Sequence, residues 1–149
     1  MTPEIAVTRG RTITEADIVG FSALTGDHHP QHTDAEWAGA GPFGERVAHG
    51  MLVLSYALGL ADIDPERIVA LRRIEEVVFK RPVKIGDTIR VEAKVLRPDE
   101  GRGLEAWEWR IVNQRDELVI RAKVEAVVRG EEPDTADSDP AEDGAPVGT

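Results

Sequence analysis

The apolar positions change their period once along the chain. Up to Ala61 they recur at helical spacing or fill whole segments, and after Asp62 they alternate with period two. Ile18, Phe21 and Leu24 share one face of a helix. Thr14-Glu15-Ala16-Asp17 precedes them as a capping box with Asp in place of the usual Glu, and Gly26 supplies the stop. Thr33-Asp34-Ala35-Glu36 is a second capping box, which predicts a short helix through Trp37 to about Gly39. Gly39 to Gly44, with Pro42, is a turn-rich connection. From Gly50 to Ala61 the residues are apolar on nearly every side, as in a helix enclosed by protein.

The second half predicts strands. Ile68 to Val83 contains one, with Arg81-Pro82 near its end. Thr88 to Val95 places Ile89, Val91, Ala93 and Val95 on one face, with Arg90, Glu92 and Lys94 on the other. Trp107, Trp109 and Ile111 alternate with Glu108 and Arg110. Leu118, Ile120, Ala122, Val124, Ala126 and Val128 share a face. A short strand near Ile5 to Val7 brings the number to about five. Turns at Asp99–Gly103 and Asn113–Glu117 make the pairing mostly antiparallel. The class is α+β, with a sheet curled around one long helix.

Charge separates a tail from this domain. The net charge is −10, but seven acids follow Arg129 with no base among them. Without them, 18 basic residues face 21 acidic ones, a charge of −3. Residues 1–129 form one domain, and 130–149 form an acidic segment that cannot bury enough apolar surface to fold. The acidic balance argues against nucleic-acid binding. No segment reaches the roughly 18 apolar residues of a membrane span, and the first residues lack a secretory signal. The absence of cysteine excludes disulfides and thiolate metal sites and fits a cytoplasmic location.

Candidate chemistry is concentrated. All four histidines lie between positions 28 and 49, three of them within Gly26-Asp27-His28-His29-Pro30-Gln31-His32. Histidine titrates nearest neutral pH, so this is where acid–base chemistry belongs. Pro30 stiffens the loop between Asp27 and His32 and holds His29 extended. Two proton-transfer groups on such a loop can grip one water from two sides. The same residues also allow a plainer reading, with Asp27 capping the next turn and His32 an ordinary loop residue. The second segment is Arg46-Val47-Ala48-His49-Gly50-Met51, opening the long apolar helix. Its first amides lack internal acceptors, and Gly50 lets a ligand approach them, or merely lets the helix start pack tightly. His29, His49 and Tyr56 are candidates to line the site, as are Trp37 and Phe43. The adjacent His28 and His29 also raise a metal reading with Asp27 and His32. Crowding in the loop and the lack of a further acidic–histidine motif weigh against it, and no metal site is expected.

Gly26-Asp27-His28-His29-Pro30-Gln31-His32 followed by His49-Gly50-Met51 resembles the signature of the MaoC-like hydratase/dehydratase family. Phe79-Lys80-Arg81-Pro82-Val83 with Gly86-Asp87-Thr88 is a weaker similarity. His29 stands where that family commonly has Asn. The resemblance covers roughly residues 5 to 129. It implies a single hotdog fold, an antiparallel sheet round a long central helix. It also implies reversible hydration of trans-2-enoyl thioesters to (R)-3-hydroxyacyl thioesters, as hydratase or dehydratase. The catalytic pair would be Asp27 and His32, with the Gly50 amide polarising the thioester carbonyl and no metal or other cofactor needed. The substrate would be an acyl-CoA or acyl-carrier-protein thioester, and the assembly a homodimer. A hotdog thioesterase and a non-catalytic acyl-binding subunit are the alternatives. Met51 to Ala61 carries no acid, which counts against the thioesterase.

Overall fold

The computed structural model describes residues 4–130. The segment beyond Gly130, set apart by its charge, lies outside them. The chain opens with β1 (Ile5–Val7) and β2 (Arg11–Thr12), followed by α1 (Glu15–Thr25), α2 (Pro30–Thr33), α3 (Ala35–Gly39) and α4 (Gly50–Leu60). Four long strands complete it: β3 (Ile68–Phe79), β4 (Thr88–Arg97), β5 (Leu104–Val112) and β6 (Leu118–Val128). The sheet is antiparallel with order β1-β4-β5-β6-β3, and β2 also pairs with β4. It thus has one strand more than the pattern predicts, because the two residues of β2 are too few to show a period.

The capping box at Thr14 forms as expected. Thr14 Oγ1 accepts the Asp17 amide at 3.2 Å, and the Asp17 carboxylate accepts the Thr14 amide at 2.8 Å. Gly26 closes α1 in the left-handed region at φ 80°. The second cap shifts by one residue. Asp34, not Thr33, caps α3, its Oδ1 accepting the amides of Glu36 and Trp37 at 3.0 and 2.9 Å. Thr33 is committed elsewhere, since its hydroxyl donates back to the carbonyls of His28 and His29. That bond closes α2, a single turn that the apolar pattern does not reveal. β3 also stops short, at Phe79, where the amides of Lys80 and Arg81 both turn to the Val119 carbonyl.

Helix α4 lies in the concave face of the sheet. Leu52, Val53, Ala57 and Leu60 pack in one cluster with Ile89, Val91, Trp109, Ile111, Ile120 and Val124. Each such aliphatic burial contributes roughly 1.5–3 kcal/mol. Trp107 and Trp109 point to this same face, with Trp107 at its margin. The convex face is ionic. In one cross-strand row Lys94, Glu108, Lys123 and Glu75 alternate in sign, which keeps that face in water. Among the described residues the β3 edge is unpaired, and it leaves Val69, Leu71, Val78 and Phe79 exposed.

Candidate active site

The site begins where α1 ends. The Asp27 amide donates to Thr25 Oγ1 at 3.2 Å, and Asp27 Oδ1 accepts the His29 amide at 3.2 Å, forming an Asx turn. This turn occupies Oδ1 alone. His29 sits at φ −54°, ψ 133°, the extended geometry required before Pro30. Its Nδ1 accepts the Gln31 amide at 3.1 Å, so His29 is the N-cap of α2. An Asn would cap the same turn through its carbonyl oxygen. The substitution therefore keeps the acceptor that the turn requires. The His29 ring packs edge-on against Trp37, centroids 5.4 Å apart. His28 and His29 are both exposed.

His32 lies in the last turn of α2 and is only 6% exposed. Its Nδ1 is 2.7 Å from the Val47 carbonyl. A carbonyl only accepts, so Nδ1 carries the proton and Nε2 keeps its lone pair. Burial lowers the His32 pKa from 6.5; the bond to Val47 opposes this, and His49 adds to the lowering. Asp27 pulls in the opposite direction, toward protonation, and His29 lowers it further.

His49 is central rather than marginal. Its ring stacks on His32 with centroids 3.8 Å apart and 26° between planes, and Phe21 meets it edge-on at 4.9 Å. His49 Nε2 lies 3.0 Å from the Asp27 carbonyl and 3.1 Å from Ser22 Oγ. The carbonyl again assigns the proton, here to Nε2, and the buried Nδ1 has no partner among the described residues. Ser22 is a site residue that sequence reasoning missed. It lies four residues after Ile18 on the buried face of α1, and a serine on such a face needs a polar partner. One carboxylate oxygen of Asp27 and one ring nitrogen each of His32 and His49 lie within 4.8 Å of one another. These three could also hold a metal, a different set from the His28 and His29 grouping that the loop sequence suggests.

Gly50 is the first residue of α4. His49 caps the helix without a side-chain hydrogen bond, and the first helical bond runs from the Val53 amide to the His49 carbonyl. The amides of Gly50, Met51 and Leu52 are therefore not used within the helix. The Phe79 ring lies over Gly50, and a Cβ there would stand 2.5 Å from its edge. A cavity of about 220 Å³ adjoins this point, lined by Gln31, Phe43, Val47, Gly50 and Phe79 among others. Gln31 precedes His32 in the chain and the Val47 carbonyl accepts from His32 Nδ1, but neither Asp27 nor His32 lines this cavity. A larger cleft of about 690 Å³ opens at the far end of α4 against Leu58, Val91, Trp107 and Trp109. Tyr56 takes no part in either. It donates to Asp17 at 2.5 Å and lies under the Arg11 guanidinium, tying α4 to the start of α1. Trp37 is half exposed beside His29.

A sheet wrapped round one helix, with Asp27, His32 and an unused amide at the helix head, defines the class of protein. The MaoC like domain model matches residues 3–116, and the chain belongs to that family. The architecture is the hotdog fold. The protein MaoC of Klebsiella aerogenes is 46% identical over 92 residues, 61% of this chain and 28% of that protein. A 3-hydroxybutyryl-CoA dehydratase of Methylorubrum extorquens is 34% identical over 97 residues, 62% of this chain and 60% of that protein. Thus the chain spans less than two thirds of these relatives. The solved R-hydratase PhaJ1 from Pseudomonas aeruginosa superimposes with a TM-score of 0.73 and 31% identity, covering 97% of this chain and 93% of that one. Among the described residues, no helix is long and apolar enough to cross a membrane.

Proposed function

We propose that this protein is a hydro-lyase that reversibly adds water to trans-2-enoyl thioesters, giving (R)-3-hydroxyacyl thioesters. The observation that carries the reading is the placement of Asp27 and His32. A carboxylate oxygen of Asp27 and a ring nitrogen of His32 lie no more than 4.8 Å apart, close enough for one water to hydrogen-bond to both. The Val47 bond leaves His32 Nε2 as a lone pair inside the site. In hydration the water oxygen bonds to Cβ while one member of the pair takes a proton from the water. A proton is delivered to Cα, so the sum is the addition of one water. Negative charge passes through the thioester carbonyl, where the Gly50 amide and the dipole of α4 oppose it. Positioned acid–base groups supply on the order of 10²–10⁴ in rate. The chemistry needs no metal or redox cofactor.

Relatives named as (R)-specific enoyl-CoA hydratases and as dehydratases support this class of reaction. The thioesterase alternative lacks a carboxylate on α4. The direct test is incubation with crotonyl-CoA, longer enoyl-CoAs and enoyl-carrier-protein substrates, following loss of the conjugated absorbance. Absence of turnover on all of them sinks the assignment.

The assembly we propose is a homodimer joined at the β3 edge. That edge exposes Val69, Leu71, Val78 and Phe79, an apolar strand border that invites pairing. The cysteine-free chain suits the reducing cytoplasm, where we place it. The acidic segment 130–149 is dispensable in this reading. Truncation after Arg129 should leave both the dimer and the activity intact, as read by light scattering and the hydration assay.

A further inference from the structure

His32 is carried by α2, a helix of four residues. One turn cannot hold itself, because nucleation fixes several residues for a single hydrogen bond. Its stability must come from outside, and residues 46 and 47 supply it. The Val47 amide donates to the Gln31 carbonyl at 3.1 Å. The Arg46 Nε donates to the His32 carbonyl at 2.7 Å. Val47 in turn accepts from His32 Nδ1. The backbone and the ring of His32 are therefore held by two consecutive residues. Val47 itself is fixed by a bridge to Lys84, and the Ala48 amide bonds the Val83 carbonyl at 2.7 Å.

Arg46 has a second partner, Glu15 in the first turn of α1, at 2.5 Å. The two contacts differ in kind. The Arg46 side chain is 13% exposed and that of Glu15 65%, so the ion pair is open to water and weak. The bond to the His32 carbonyl lies on the part-buried side of the guanidinium. It also places a cation at the carbonyl end of α2, where the helix needs donors.

We propose that Arg46 is a positioning residue for the acid–base pair. It holds the His32 carbonyl and so fixes the turn from which the imidazole meets the Val47 carbonyl. This rests on the reading of His32 as half of that pair. A one-ångström displacement of a reacting group costs about a hundredfold in rate, which sets the scale.

The test uses full-length Arg46→Met, Arg46→Lys and Glu15→Gln. Methionine keeps the aliphatic length and removes every donor. Arg46→Met should lower kcat on crotonyl-CoA by about ten- to a hundredfold, with KM within about twofold. The His32 imidazole NMR titration should move up toward the ordinary histidine value, because the ring is less well buried. Arg46→Lys should recover part of both. Glu15→Gln should stay within about twofold of wild type. Unchanged kcat and titration in Arg46→Met overturn the proposal, as does a loss in Glu15→Gln equal to that in Arg46→Met. Should Arg46→Met fail to fold, Arg46→Lys carries the same readouts, since one amine cannot hold both partners. Unchanged values there overturn it too. If wild type hydrates no enoyl thioester, the functional assignment fails, but the His32 titration still decides the role of Arg46.

Discussion

His32 donates its Nδ1 proton to the Val47 carbonyl across 2.7 Å, and that bond decides which nitrogen is left for chemistry. Asp27 contributes a carboxylate whose Oδ1 is tied to the His29 amide. Asp27→Asn keeps the oxygen for that turn and removes the charge. His32→Ala removes the ring and leaves His49 without its stacking partner. Each substitution should lower turnover by two or more orders of magnitude, about the scale of acid–base contributions. Far-ultraviolet circular dichroism should be unchanged. Near-normal rates in both would show that the chemistry lies elsewhere.

The buried His32 predicts a pH dependence of stability. Burial lowers its folded pKa below the ordinary 6.5, and the unfolded chain keeps about that ordinary value. Above pH 6.5 the ring is neutral in both states and the full stability is present. As pH falls below 6.5, the unfolded state binds the proton first, and stability is lost until the folded pKa is passed. The melting temperature should therefore fall between pH 7 and pH 5 more steeply in wild type than in His32→Asn. Equal slopes would mean that His32 protonates as easily folded as unfolded. The acid limb of the hydration profile, for the same reason, should have its midpoint below 6.5.

How much of this was legible in the chain depends on the length of each signal. The period-two runs and the all-round apolar segment Gly50–Leu60 name the sheet and its helix, because a packed core repeats its pattern over many residues. Arg11–Thr12 and Pro30–Thr33 are too short to show any period. Asp27, His32 and Gly50 stand out as rare residue types in a distinctive spacing. Ser22 and Arg46 do not. Their roles arise from partners 27 and 14 residues away, and only the folded chain brings them to His49 and the His32 carbonyl. Tyr56 shows the reverse. An aromatic on the central helix resembles a pocket residue, but Asp17 and Arg11 claim its hydroxyl.

Gly50 and Phe79 make a separable pair. Alanine at position 50 would place its Cβ 2.5 Å from Phe79 Cε1 and 2.7 Å from Cδ1, so the ring must move. That ring is half exposed and able to swing. Gly50→Ala should therefore lower the melting temperature, and adding Phe79→Ala should restore it toward that of Phe79→Ala alone. Activity should behave differently. In the proposed reaction the methyl group still crowds the amide that the thioester carbonyl approaches, so the double variant should remain about tenfold below Phe79→Ala, less than the roughly 10²–10³ of outright donor loss because the amide itself is kept. Recovery of activity along with stability would reduce Gly50 to a packing role.

The three-way cluster of Asp27, His32 and His49 gives the last prediction, because ligand atoms within 4.8 Å of one another would suit either a metal or a water. A metal would need lone pairs from both rings. His32 Nδ1 and His49 Nε2 are committed as donors to the carbonyls of Val47 and Asp27, leaving His32 Nε2 and His49 Nδ1. In hydration by proton transfer, His32 Nε2 serves the water, and His49 acts by stacking on His32 and holding the Asp27 carbonyl. Dialysis against a strong chelator should therefore leave kcat unchanged, and added zinc should not raise it. Inhibition by zinc would fit equally well, since a bound ion would block His32 Nε2 and the Asp27 carboxylate together. His49→Gln should lower kcat by about tenfold through looser positioning, with or without chelator. Activity lost on chelation and restored by a stoichiometric divalent metal would replace the proton-transfer pair with a metal-bound water.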